Sequence, residues 1–158
     1  MRNKFFQKAI TAFFCAVMLS HASVSKAHDA GAIMDPNGTV AAFTGYALVT
    51  CSNDGNGDAD NLTASIKDTS APQRDPSQGD LLVNLQIIKG NHAISTTDPV
   101  PGDGNFSPEV KVHGGNGVYQ LLVNKTKAGA RSFIISYHCM TASNDHTGTD
   151  ISVVYQFE

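Results

Sequence analysis

Hydrophobic and polar residues alternate in short runs along the chain, and clusters of Gly, Asn, Asp and Pro separate the runs. Alternation with a period of two places the apolar side chains on one face of a β-strand. In 132–140, for example, every second residue from Phe133 to Cys139 is apolar or aromatic. No stretch after residue 27 has a convincing helical period, so the pattern predicts strands. The predicted strands are 40–43, 45–52, 62–67, 81–89, 92–96, 108–113, 118–124, 132–140 and 150–157.

The number of predicted strands indicates the fold class. Seven to nine strands in a chain of this size are too many for one flat sheet and suit two packed antiparallel sheets. We therefore predict an all-β fold in which residues 28–158 form one β-sandwich domain. Two connections rich in proline or glycine, 68–80 and 97–107, are predicted surface loops that present a contact surface to a protein or small-ligand partner.

Two cysteines remain after residue 27, and each lies on the apolar face of a predicted strand. An oxidising compartment would join Cys51 to Cys139, so we predict one disulfide between the sheets. Two buried thiols or a pair of metal ligands are the alternatives. The triplet Tyr137-His138-Cys139 resembles the tyrosine-x-cysteine of an immunoglobulin F strand, with Cys51 in the place of the B-strand cysteine. The chain has no tryptophan, and the resemblance implies an immunoglobulin-like fold without implying a function.

The first 27 residues have the pattern of a bacterial-type signal peptide. Basic residues precede an apolar run over 9–19, which is too short to span a bilayer and is followed by small residues. Cleavage fits after Ala22 or after Ala27, and we expect the second because it removes Lys26 from the mature chain. The predicted location is the periplasm or the extracellular medium, with no membrane insertion after cleavage.

Removal of residues 1–27 changes the charge of the chain. Four of the 11 basic residues and none of the 14 acidic residues lie in this segment. The mature chain then carries seven basic and 14 acidic residues, and its net charge becomes −7. This charge argues against nucleic acid and anionic membranes as partners, and it is compatible with cation binding.

Cleavage after Ala27 would make His28 the N-terminal residue. Its free amine and its imidazole are nitrogen donors that suit Cu²⁺ and would chelate one ion in a single ring. His138 and Met140 are two residues apart on one predicted strand, and His146 lies in the loop that follows. The candidate copper ligands are His28, His138, Met140 and His146, with Asp29 and His113 as further candidates.

The leading His28 and the nearby turn Asp35-Pro36-Asn37-Gly38 resemble small periplasmic copper carriers that begin with histidine on a β-sandwich. The resemblance implies copper binding at the mature N-terminus. The alternative interpretation is that these histidines face solvent and bind no metal.

The segment 53–60 is a second candidate metal site. Its alternating oxygen side chains resemble the first half of an EF-hand loop and predict Ca²⁺ binding if the loop curls. Ala59 stands where an EF-hand has glycine, and Ser65 where it has a bidentate glutamate. The alternative is a plain connection, since Asn, Asp and Gly are ordinary turn formers. The candidate calcium ligands are Asp54, Asn56, Asp58 and Asp60.

No motif in the sequence specifies a reaction. The patterns G-x-S-x-G and H-E-x-x-H are absent, and no glycine-rich phosphate loop opens a helix. A blue-copper site would need a free Cys139 with His and Met close behind it, whereas His146 is distant and no Met follows. We therefore predict a non-enzymatic exported binding or accessory protein. The alternative is a periplasmic protein that binds copper or calcium, and the third hypothesis is an adhesin or pilin-like subunit that pairs through its last strand.

Overall fold

The computed structural model describes residues 28–71 and 80–157. These residues form nine β-strands and no helix, and the described part of the chain therefore offers no helix that could cross a membrane. The predicted signal peptide and its cleavage points lie outside the described residues, as does most of the predicted 68–80 loop. The strands are β1 (His28–Met34), β2 (Thr44–Ser52), β3 (Asn61–Asp68), β4 (Val83–Lys89), β5 (His92–Thr97), β6 (Val110–His113), β7 (Gly117–Lys125), β8 (Arg131–Met140) and β9 (Gly148–Phe157).

The strands form two antiparallel sheets. One has four strands in the order β1-β8-β3-β6, and the other has five in the order β5-β4-β7-β2-β9. The predicted two-sheet fold is confirmed. Buried apolar residues alternate with more exposed ones along β2, β4 and β8, because one face of each strand packs into the core between the sheets.

Two strand predictions are wrong. Residues 40–43 form a turn, because the Asp35 carboxylate accepts hydrogen bonds from the backbone N–H groups of Thr39 and Val40 and curls the chain there. Strand β1 was not predicted, since its residues His-Asp-Ala-Gly-Ala-Ile-Met are mostly small and lack a clear apolar alternation. Its backbone is nevertheless paired with β8 along its whole length, from His28 opposite Tyr137 to Met34 opposite Arg131.

The predicted disulfide is confirmed. Cys51 on β2 and Cys139 on β8 are bonded, with their Cα atoms 5.5 Å apart, and both are buried. Since β2 and β8 belong to different sheets, the bond joins the two halves of the sandwich.

Three buried carboxylates stabilise the fold from within. Asp35 contacts Lys125 at 2.8 Å, and Asp68 lies 3.3 Å from Arg131, with all four side chains almost fully buried. In the predicted 97–107 loop, Asp98 accepts a hydrogen bond from the backbone N–H of Asp68 at 2.6 Å. This end of the loop is therefore held against β3.

Candidate functional site

The start of β1 and the end of β8 bring the predicted copper ligands together. Along one edge of β8, β3 pairs with Tyr137 and Met140. Along the opposite edge of β8, Tyr137 pairs with His28 of β1. On that edge Met140 also pairs with His146 through an isolated β-bridge. The N-terminal end of β1 and the segment around His146 therefore flank the same edge of β8.

The three histidine rings form a row at this edge. The ring centroids of His28 and His138 are 6.2 Å apart, and those of His138 and His146 are 4.5 Å apart. A ring nitrogen binds a metal at about 2.0–2.1 Å, so the centroid of a ligating ring lies about 3.2 Å from the ion. Two rings that bind the same ion then have centroids about 4.5–6.4 Å apart when the centroid–metal–centroid angle is about 90–180°. Each neighbouring pair of rings is thus close enough to share one ion after a modest ring rotation.

Two nitrogen atoms in this row have no hydrogen-bond partner among the described residues. They are Nδ1 of His28 and Nδ1 of His138, and both are buried. Because burying a polar atom without a partner costs free energy, such atoms in a folded protein require an explanation. In the tautomer that carries its proton on Nε2, each Nδ1 has a lone pair that a metal ion could accept.

The second nitrogen of His138 is already held. Its Nε2 lies 3.2 Å from Oγ of Ser136, two residues earlier on the same face of β8. When Nε2–H donates to the hydroxyl oxygen, Nδ1 keeps its lone pair, and when the hydroxyl donates to Nε2, Nδ1 carries the proton. Histidines that ligate metals are commonly oriented by such a second hydrogen bond. Ser136 is not among the predicted site residues, although its spacing of two from His138 on an alternating strand was the available signal.

The surroundings keep His138 neutral. Burial lowers the pKa of its imidazole, and the neighbouring His146 and His28 lower it further, while Asp29 opposes them. A neutral imidazole is the form that binds a metal.

The remaining candidate copper ligands divide into two groups. Met140 shares the outward face of β8 with His138 and pairs with His146, so it lies beside the row. Asp29 is exposed and pairs with Ser136 in the strand register. His113 lies two strands away on β6, where its Nδ1 is 2.7 Å from the carboxylate of Asp60.

The side chains as they stand do not complete a metal site. Within residues 28–71 and 80–157, no group of three or more His, Cys, Asp or Glu side chains has the geometry to hold a metal ion. A site at the histidine row therefore needs rotation of the rings and a donor that is not one of these side chains. Cleavage after Ala27 would turn the backbone nitrogen of His28 into an amine and so add one nitrogen donor.

The predicted calcium ligands have separate hydrogen-bond partners. Asp54 accepts from the N–H of Asn56 and from Thr147, whose hydroxyl lies 3.3 Å away. Asp58 accepts from the side-chain amides of Asn53 and Asn116. The bond from the N–H of Asn56 to Asp54 is typical of an Asx turn, while the bonds from Thr147 and Asn116 tie the loop to later parts of the chain.

Asp60 is the last predicted calcium ligand, and it too has partners. It accepts hydrogen bonds from Asn61 and lies beside His113, and these contacts hold the pKa of its carboxyl below the usual range. The loop therefore does not aim its oxygen atoms at one point, and calcium binding there stays a prediction.

An apolar cleft with a cavity volume of about 50 Å³ opens between the two sheets at the edges formed by β1 and β9. Its walls are mostly small or apolar and include Tyr46, and Gln156 donates a hydrogen bond to the carbonyl of Ile33. The cleft has room for a small apolar group. Its lining includes Ala30, Ala32, Ala47, Leu121, Phe133 and Ile151.

No protein-family model, curated protein or solved structure matches the chain.

Proposed function

We propose that the mature chain is an exported, non-enzymatic binding protein whose ligand is a copper ion held at the histidine row. The observation that carries this proposal is the pair of buried, unpartnered Nδ1 atoms of His28 and His138 beside the ring of His146. The proposal thus combines two predictions from the sequence: a non-enzymatic exported binding protein, and a protein that binds copper.

The proposed donors are the α-amine and Nδ1 of His28 with the imidazoles of His138 and His146. The amine and Nδ1 of one histidine close a six-membered chelate ring on a metal, and that ring uses the nitrogen that is unpaired in the structure. Cleavage after Ala27 is part of this proposal, because the six-membered ring requires a free α-amine on His28.

The donor set favours copper over other divalent metals. Imidazole and amine nitrogen atoms suit Cu²⁺, and the affinity of a nitrogen site for first-row metals is highest for that ion. Ca²⁺ requires six to eight oxygen ligands, which the row does not offer. The net charge of −7 proposed for the mature chain adds attraction for any cation.

The immunoglobulin-like assignment also belongs to the proposal. The strands of an immunoglobulin fold are lettered A to G in chain order. The neighbours β4-β7-β2 correspond to its strands D-E-B, the neighbours β8-β3 to its strands F-C, and the disulfide joins the strands that correspond to B and F. The chain departs from that fold at its edges, where β1 lies beside F and β9 beside B. This departure is what places the N-terminal end of β1 next to His138.

The adhesin or pilin-like hypothesis stays a prediction. Strand β9 lies at the edge of its sheet, which is the position that strand pairing with a partner requires. No contact of the described residues favours that role over an ordinary edge strand.

Copper titration of the chain with its α-amine free or acetylated tests the proposal. The chain 28–158 is expected to bind one Cu²⁺, and the same chain with its α-amine acetylated is expected to bind it at least about tenfold more weakly because the chelate ring cannot close. Competition with a chelator of known affinity gives both dissociation constants. Equal affinity of the two forms, or absence of binding by the free 28–158, would contradict the proposal.

Two substitutions serve as a matched pair in the same titration. His138→Ala removes a proposed donor and is expected to weaken Cu²⁺ binding at least about tenfold. His113→Ala removes a histidine whose Nδ1 already contacts Asp60, and it is expected to leave the affinity unchanged. A stronger effect of His113→Ala would move the site away from the histidine row.

A further inference from the structure

Met140 occupies a position beside the histidine row that core packing does not explain. It is half-buried on the outward face of β8, whereas Met34, on β1, is fully buried in the core. Met140 belongs neither to the hydrophobic core nor to the half-buried apolar residues that pack against it.

The strand register places the Met140 side chain next to two imidazoles. Residues two apart on a strand project from the same face, which puts Met140 with His138. Directly opposed residues of antiparallel strands have Cβ atoms about 4.5–5.5 Å apart, which puts Met140 beside His146. The rings of His138 and His146 have centroids 4.5 Å apart, and the register places Met140 beside both residues.

These three side chains have a different chemistry from the donors at His28. A thioether is a soft ligand and selects Cu⁺, while amine and imidazole nitrogen atoms suit Cu²⁺. The flexible methionine side chain also adjusts its sulfur position at little cost, because it has three rotatable bonds.

We propose that Met140, His138 and His146 form a site for cuprous copper next to the cupric donors of His28. The inference rests on the proposed function, since it deepens the same histidine row. Both copper ions would bind the imidazoles of His138 and His146. In addition, Cu²⁺ would bind the amine and Nδ1 of His28, whereas Cu⁺ would bind the sulfur of Met140.

Separate affinity measurements for the two ions test this inference. For the chain 28–158, Cu⁺ is supplied without oxygen as its bicinchoninate complex, and Cu²⁺ is measured by chelator competition in air. Met140→Leu keeps the volume and the apolar character. It is expected to weaken Cu⁺ binding at least about tenfold and to change Cu²⁺ binding by less than about twofold, because nitrogen atoms hold that ion.

Two further variants separate ligation from packing. Met140→Gln keeps the length of the side chain without its sulfur and is expected to lose Cu⁺ affinity in the same way. Met34→Leu changes the buried methionine of β1 and is expected to leave both affinities unchanged. Thermal unfolding of each variant without metal confirms that the fold is intact.

The outcomes distinguish the inference from the proposed function. Equal Cu⁺ affinity of the parent chain and Met140→Leu overturns the inference and leaves Cu²⁺ binding standing. Equal loss of both ions in Met140→Leu also overturns it, because Met140 would then support the row only structurally. Failure of the parent chain to bind either ion overturns the proposed function itself.

Discussion

Replacing Cys51 and Cys139 together by alanine is expected to lower the free energy of unfolding by about 2–5 kcal/mol. The disulfide closes a loop with a sequence separation of 88 residues, and this constraint removes conformational entropy from the unfolded chain. The chain-entropy relation gives about 4–5 kcal/mol for a loop of this size. Because the bond joins β2 of one sheet to β8 of the other, its loss also weakens the connection between the sheets.

Urea unfolding of the parent chain and the double variant measures this effect. The variant is expected to unfold at a lower urea concentration, and chemical reduction of the parent chain is expected to reproduce the shift. Copper affinity should fall as well, because Cys139 fixes β8 between the outward-facing His138 and Met140. An unchanged unfolding midpoint would show that the sheets are held together without the bond.

Replacing Asp35 by asparagine is expected to lower the thermal midpoint by about 10–20 °C, because removal of one partner from a buried ion pair leaves the other charge uncompensated. The Lys125 ammonium, whose side chain has no exposed surface, contacts the Asp35 carboxylate at 2.8 Å. The same carboxylate accepts backbone hydrogen bonds from Thr39, Val40 and Gly129. Its loss would therefore release both the charge and the turn after β1.

The exposed Asp80 provides the control, because Asp80→Asn makes the same chemical change without a buried partner. Thermal unfolding followed by circular dichroism compares the two variants. A midpoint for Asp35→Asn that equals that of Asp80→Asn would show that the buried pair contributes little.

The stability of the protein at low pH should also depend on the buried Asp35 carboxylate. Burial alone would raise the pKa of Asp35, but hydrogen bonds from Lys125 and three backbone N–H groups outweigh it and hold the pKa well below its ordinary value of 3.8. The stability that this group contributes is therefore complete above pH 3.8 and is lost as the pH falls through the native pKa. Below pH 4, the parent chain is expected to lose more stability than Asp35→Asn.

The sequence predicted most of the fold, because the buried faces of β2, β4 and β8 alternate clearly. It also predicted the disulfide, since both cysteines lie on those faces. It did not predict β1, whose small residues carry little apolar signal and whose pairing with β8 is a long-range contact. The turn at 40–43 was missed for a similar reason, because the Asp35 carboxylate that binds the N–H groups of Thr39 and Val40 is also bound by Lys125, which is distant in sequence.

The candidate site was predictable in its residue types but not in its arrangement. The sequence predicted copper ligands from residue type and spacing, namely His28, His138, Met140 and His146. Alternation placed His138 and Met140 on one face, but only the strand register brings β1 and His146 to the same edge of β8. The calcium prediction used the composition of a loop and stays a prediction, and in the structure Asp54 and Asp58 accept hydrogen bonds from Asn56 and Asn116.

Electron paramagnetic resonance of the chain 28–158 with one equivalent of Cu²⁺ reports the atoms that bind the metal. We expect one copper species with nitrogen hyperfine structure, and a changed spectrum both for His138→Ala and for the chain 28–158 with its α-amine acetylated. A spectrum that is identical in all three proteins would contradict the assignment of copper to the amine of His28 and the imidazole of His138.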